Sequence, residues 1–111
     1  MSKILLDTSF LITAAENKID CYEELKGNEL FILDKAIKEL EKLKKGKLAL
    51  LILKKKKIKT IKTNSKRSVD DLLVEKKQYA VATQDIELKK RLKTRKIFTI
   101  RQKKYIKCFT K

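Results

Sequence analysis

A few acidic residues in this chain sit where carboxylates could do chemistry. Asp7 directly follows the apolar run Ile4-Leu5-Leu6, so it should stand at the carboxyl end of a buried strand. Asp85 holds the same place after Tyr79-Ala80-Val81-Ala82-Thr83. In an open α/β sheet the carboxyl ends of the strands face the ligand crevice. Two carboxylates on one rim repel each other unless a cation joins them. Glu39 lies beside the apolar helical face formed by Ala36, Leu40 and Leu43, within reach of that rim. Asp70 and Asp71 open a helix after Ser68. If Ser68 is the N-cap, Asp71 can bond back to the cap amide, leaving Asp70 to face the rim. With the hydroxyls of Thr8, Ser9 and Thr83, these acids form a hard oxygen site suited to Mg²⁺ or Mn²⁺ rather than zinc.

Each acid also has a purely structural alternative. Asp7 and Asp85 suit helix N-caps, and Glu39 can pair with Lys42 on the helix surface. Asp70 and Asp71 both favour the helix dipole.

The composition narrows the rest. With 30 Lys and Arg against 14 Asp and Glu in 111 residues, the net charge is +16, which attracts polyanions. Nucleic acid is the first partner expected and an acidic membrane surface the second, although no amphipathic helix carries the aromatic anchors a membrane binder needs. The chain has no histidine, which excludes His-dependent triads, HExxH zinc sites and classical zinc fingers. Only Gly27 and Gly46 are glycines, so no phosphate-cradling Gly-rich loop can be written. Cys21 and Cys108 match no metal spacing and read as small apolar fillers. The longest apolar run, residues 48–53, is far short of the ~20 residues of a membrane span. An acid as early as Asp7 argues against a signal peptide. The expectation is a soluble, reduced, cytoplasmic protein.

The elements that must position these acids alternate. Strands are expected at residues 3–6, 30–33, 58–63, 79–83 and 97–100. Helices are expected after Thr8, at 21–26, after Asp34, at 48–53, after Ser68 and at 86–92. The run 48–53 is ambiguous by periodicity, and its Leu and Ala content favours a helix. Connections too long for hairpins imply an α/β sandwich on a mostly parallel sheet. One domain, residues 1–111, is expected, ending in a basic C-terminal tail.

The motifs Leu5-Leu6-Asp7-Thr8-Ser9-Phe10-Leu11, Ala36-Ile37-Lys38-Glu39-Leu40-Glu41-Lys42-Leu43, Val69-Asp70-Asp71-Leu72-Leu73-Val74 and Ala80-Val81-Ala82-Thr83-Gln84-Asp85 resemble those of PIN-domain nucleases. The continuation Ile86-Glu87-Leu88-Lys89-Lys90-Arg91-Leu92, then Ile97-Phe98-Thr99-Ile100, is similar to the branch holding archaeal PIN proteins and the small-subunit processome nuclease of pre-ribosomal RNA. The resemblance implies a PIN-like sandwich of about five strands flanked by helices. It implies an endoribonuclease dependent on Mg²⁺ or Mn²⁺, with Asp7, Glu39, Asp70 and Asp85 as the catalytic and metal-holding acids. Asp71 is the substitute for Asp70, and Ser9 and Thr83 are supporting hydroxyls. Family members often dimerise, so a homodimer is among the expected partners, with an antitoxin or a ribosome-assembly protein. A non-catalytic RNA-binding scaffold is the alternative of a different class.

The substrate surface is read from charge. Lys54, Lys55, Lys56, Lys57, Lys59, Lys62, Lys66 and Arg67 form a stretch of eight cations without an acid. From Leu88 onward eleven more follow, again without an acid. Lys55, Lys56, Lys57, Arg67, Lys89, Lys90 and Arg91 are the expected contacts to a single-stranded or looped RNA backbone. Tyr79 and Tyr105 are candidates to stack on unpaired bases. The alternative is a solvated lysine coat.

Overall fold

The computed structural model describes residues 2–56, 58–93 and 95–110. Its elements run β1 (Lys3–Leu6), α1 (Thr8–Glu16), α2 (Cys21–Glu24), β2 (Glu29–Leu33), α3 (Asp34–Lys42), α4 (Gly46–Lys55), β3 (Lys59–Ile61), α5 (Val69–Glu75), β4 (Ala80–Ala82), α6 (Ile86–Arg91), β5 (Lys96–Arg101) and β6 (Tyr105–Thr110). The six strands form one sheet in the order β3-β2-β1-β4-β5-β6. Every pairing is parallel except β5 with β6. The architecture is therefore the expected α/β one, a mostly parallel sheet flanked by helices.

The interior strands are apolar throughout because helices cover the sheet. Ile4, Leu5, Val81 and Ala82 are fully buried. β1 pairs with β2 on one side, Leu5 opposite Phe31, and with β4 on the other, Leu6 opposite Ala82. The chain leaves β1 toward β2 and β3 and later returns to β4 on the opposite flank. That reversal puts the switch point at the carboxyl ends of β1 and β4, where open α/β sheets place their ligand crevice.

Three local departures from sequence expectation have physical causes. The segment read as a basic tail contains a sixth strand, and the final hairpin carries no Gly or Asn signal. Its turn puts Gln102 and Lys103 at φ 54° and 57°, closed by Lys104 N–H to the Arg101 carbonyl at 3.0 Å. Lys44-Lys45-Gly46 reads as a helix C-terminus, but Gly46 begins α4, and a Cβ there would overlap the Leu40 carbonyl, so glycine lets the two helices approach. Cys21 is the buried filler expected, its thiol pushed up to about 11 by burial, whereas Cys108 lies exposed on β6.

Two tertiary pins hold the frame. Asp34 opens α3 at the end of β2 and ties the chain beyond β3, accepting from Thr63 N–H at 3.1 Å and the Thr63 hydroxyl at 2.7 Å. The Arg95 guanidinium donates to the carbonyls of Leu73, Val74, Lys76 and Tyr79 at 2.6, 3.0, 2.8 and 2.7 Å. It satisfies the carbonyl end of α5, so this member of the basic C-terminal run is structural.

Candidate active site

Asp7 is the centre of the rim. It caps α1, accepting from Thr8 N–H at 2.9 Å through Oδ1. Its Oδ2 accepts from the Ser9 hydroxyl at 2.9 Å and the Thr83 hydroxyl at 2.7 Å. Capping and a site role are therefore compatible in one side chain, because its two oxygens face different ways. Asp7 is only 5% exposed. Burial holds its carboxyl above the ordinary 3.8, against three hydrogen bonds that favour the anion, and the Glu39 charge pushes the same way as burial.

The hydroxyls that hold Asp7 are themselves held. Ser9 Oγ accepts from Gln84 N–H at 3.1 Å, and Thr83 Oγ1 accepts from Asp85 N–H at 3.1 Å. Each hydroxyl must then donate toward Asp7, so the β4–α6 loop and the start of α1 orient one carboxylate together.

The other acids gather by different routes. Asp70, half-buried at the start of α5, has its carboxyl raised first by burial and then by the charges of Asp7 and Asp85. Its electrostatic neighbours are thus the rim carboxylates. Asp71, one residue on, turns outward to Arg91 at 2.6 Å, and that guanidinium holds its carboxyl below the ordinary range. Ser68 caps α5 through Asp71 N–H at 3.2 Å, as the sequence suggested, but the Asp71 carboxylate takes Arg91 instead of bonding back to the cap amide. Glu39 accepts from the Thr8 hydroxyl at 2.8 Å, which ties α3 to the rim; the surface pair with Lys42 is not formed. Asp85 Oδ1 caps α6, accepting from Glu87 and Leu88 N–H at 2.9 and 3.2 Å.

Among the described residues, no three His, Cys, Asp or Glu side chains converge closely enough to grip an ion by themselves. Glu39 and Asp85 are each engaged by protein donors. The donor chemistry nonetheless fits a hard cation. The acids on the rim are all carboxylates, and the two whose protonation is shifted, Asp7 and Asp70, are both destabilised as anions.

Sequence reasoning missed Gln84. Its side chain behaves like a short stretch of strand, accepting from Ile100 N–H at 2.6 Å and donating to the Ile100 carbonyl at 3.1 Å. Thr99 Oγ1 also donates to it at 2.9 Å. Gln84 thereby fastens the Asp85 loop to β5. The only sequence signal was its place between Thr83 and Asp85.

The expected RNA contacts are dispersed and mostly engaged. Lys56 pairs with Asp20 at 3.3 Å, Arg67 with Glu75 at 3.2 Å, Lys90 with Glu87 at 3.6 Å, and Arg91 with Asp71 at 2.6 Å. Lys89 donates to Thr99 at 2.9 Å. Lys55 is exposed, and Lys57 lies outside the described residues. The acid-free stretches of sequence meet their acids in three dimensions. A cleft of about 300 Å³ beside Glu39 is lined by Lys35, Lys38, Lys42, Lys66 and Arg67. Tyr79 packs edge-on against Phe31, centroids 5.2 Å apart, whereas Tyr105 is 43% exposed.

A carboxylate rim at the switch point of a β3-β2-β1-β4-β5 sheet is the frame of a PIN-domain nuclease. The family model described as a PIN like domain matches residues 4–104, and the chain belongs to that family. The solved structure "Structure of the PIN domain endonuclease Utp24" superposes with a TM-score of 0.87 at 28% sequence identity. The match covers 98% of this chain and 92% of that one. No curated protein matches the sequence.

Proposed function

We propose that this PIN-family nuclease is a divalent-metal-dependent endoribonuclease that hydrolyses phosphodiester bonds in single-stranded or looped RNA. The observation that carries the reading is the gathering of acids on one rim, where burial and then Asp7 and Asp85 raise Asp70, and burial with the Glu39 charge raises Asp7. Buried like charges on one rim persist where they have a cation to meet. Asp7, Glu39, Asp70 and Asp85 would hold Mg²⁺ or Mn²⁺, with Asp71 excluded from that group by its pair with Arg91. Such a cation supplies charge neutralisation on the phosphate and a more acidic water. Ser9 and Thr83 fix the orientation of Asp7, and Glu39 is aimed by Thr8.

Ribosomal-RNA processing or RNA turnover is the favoured role ahead of a toxin paired with an antitoxin. The basis is the motif pair Asp70-Asp71-Leu72-Leu73 and Ala82-Thr83-Gln84-Asp85, together with likeness over nearly the full length of a PIN domain endonuclease. Labelled structured RNA incubated with the protein and Mn²⁺ should be cut at internal positions. EDTA should abolish cleavage. Cleavage that survives EDTA, or that Asp7→Asn retains at the wild-type rate, would refute the proposal.

A further inference from the structure

Among the described residues, the exposed cations of the β5–β6 hairpin are not engaged by the chain's own acids. Lys56, Arg67, Lys90 and Arg91 face carboxylates, and Arg95 is spent on backbone carbonyls. Among the described residues, no carboxylate pairs with Arg101, Lys103, Lys104 or Lys107. Their positive field is left for an outside partner.

Position adds to charge. β5 runs parallel to β4, so its carboxyl end at Arg101 lies on the same edge of the sheet as Thr83 and Asp85. The hairpin turns there, and the Gln84 clamp on Ile100 holds its base one residue from Asp85. Tyr79 precedes β4 and therefore lies at the opposite end of the strands.

The hairpin surface also has a form. Register pairs Arg101 with Tyr105, Thr99 with Lys107 and Ile97 with Phe109, so Tyr105, Lys107 and Phe109 alternate onto one face with Arg101 across from them. The Arg101 guanidinium stands 4.8 Å from the Phe109 ring centre, and Lys107 Nζ stands 5.1 Å from it. Phe109 is half-buried under these cations, whereas Tyr105 on the same face is exposed, and an exposed ring beside a cationic strand is the arrangement that stacks an unpaired base while its phosphates are paired.

We propose that the β5–β6 hairpin is an RNA-gripping arm beside the acidic rim: Tyr105 stacks an unpaired base, and Arg101, Lys103 and Lys104 hold the flanking phosphates. The proposal rests on the ribonuclease reading for its substrate and deepens it by choosing single strands over duplexes.

The test measures binding of the full chain to a fluorescein-labelled 12-nucleotide oligouridylate, by anisotropy in EDTA across a KCl series. Lys103→Gln with Lys104→Gln keeps side-chain length in the tight turn. It should weaken binding about tenfold and reduce the log–log salt slope by about 1.4, at ~0.7 per lost phosphate contact. Tyr105→Ala should weaken binding roughly 5- to 100-fold with the slope unchanged. Tyr105→Phe should restore it, which separates stacking from misfolding. Neither tyrosine variant should alter binding to a 12-base-pair RNA duplex. Lys77→Gln, at the opposite end of the strands, serves as control and should bind like wild type.

Unchanged binding in the double variant, or an equal loss in Lys77→Gln, overturns the proposal. So does a protein dimer, seen by light scattering, that the hairpin variants dissociate while RNA binding stays intact. That result would make β6 a strand-pairing edge between two copies. Binding in EDTA does not require cleavage. Loss of binding in the hairpin variants with no cleavage by wild type would uphold the arm and sink the nuclease. Cleavage with unaltered hairpin binding would do the reverse.

Discussion

Asp7 and Asp34 end neighbouring parallel strands, β1 and β2, and both begin the helix that follows. Each carboxylate has three hydrogen-bond donors. Asp7 receives Thr8 N–H, Ser9 and Thr83, and Asp34 receives Lys35 N–H, Thr63 N–H and the Thr63 hydroxyl. Their protonation moves in opposite directions. Burial lifts Asp7 despite its donors, and the Glu39 charge adds to that. The Thr63 hydroxyl and amide lower Asp34, with Lys38 as its charged neighbour. Hydrogen-bond satisfaction therefore does not distinguish the proposed site carboxylate Asp7 from the strand-pinning Asp34. Desolvation and like-charged company do. The adjacent Asp70 and Asp71 repeat the contrast within one helix turn, one raised by burial and the rim acids, the other lowered by Arg91.

The largest expected effect separates the two strand ends by activity. Asp7→Asn should lower RNA cleavage by orders of magnitude, since metal-assisted attack is worth several kcal/mol. Asp34→Asn should leave cleavage within about twofold and cost about 1 kcal/mol of stability, the net worth of the partly exposed bonds to Thr63. Gel-based rates and chemical denaturation of purified variants measure both quantities. Equal cleavage by the two variants would erase the distinction.

A smaller effect is expected with metal. Millimolar Mn²⁺ should raise the melting temperature of wild type and of Asp34→Asn by several degrees, and that of Asp7→Asn by less than one, because only a cation bound to the folded state stabilises it. Thermal melts with and without Mn²⁺ decide this.

The pH dependence should differ in sign. Folded Asp7 holds its proton above the ordinary 3.8, so its ionisation opposes folding, and its contribution to stability declines as pH rises from 3.8 through the raised value. Asp34 is lowered, so its contribution is present above 3.8 and is lost as pH falls through the lowered value. Melting temperatures from pH 3 to 7 should show Asp7→Asn removing a decline with pH and Asp34→Asn removing a rise at the acid end. Parallel curves for the two variants would show that burial does not separate them.

The smallest effect on stability accompanies the same test inside α5. Asp70→Asn should reduce cleavage as Asp7→Asn does, with no loss of melting temperature because like-charge repulsion is relieved. Asp71→Asn should lower the melting temperature slightly by breaking the pair with Arg91 and leave cleavage in place. The reverse outcome would assign the third acid to Asp71.

Local chain chemistry was enough to determine the strand–helix alternation, the buried β1 and β4, and the placing of Asp7 and Asp85 just beyond them. An apolar strand followed by a capping acid is a short-range pattern, and a parallel sheet brings all such ends to one edge. Ser68 as a cap was legible for the same reason. Only the tertiary structure decided which cations remain available to a partner, because Asp20, Glu75, Glu87 and Asp71 approach Lys56, Arg67, Lys90 and Arg91 through folding. It alone made Arg95 a carbonyl cap, Gln84 a clamp and the basic tail a strand, since each role depends on partners distant in sequence or on a turn without glycine. Sequence lists charges in order along the chain, whereas electrostatics depends on distance in space, and that distance is set by packing.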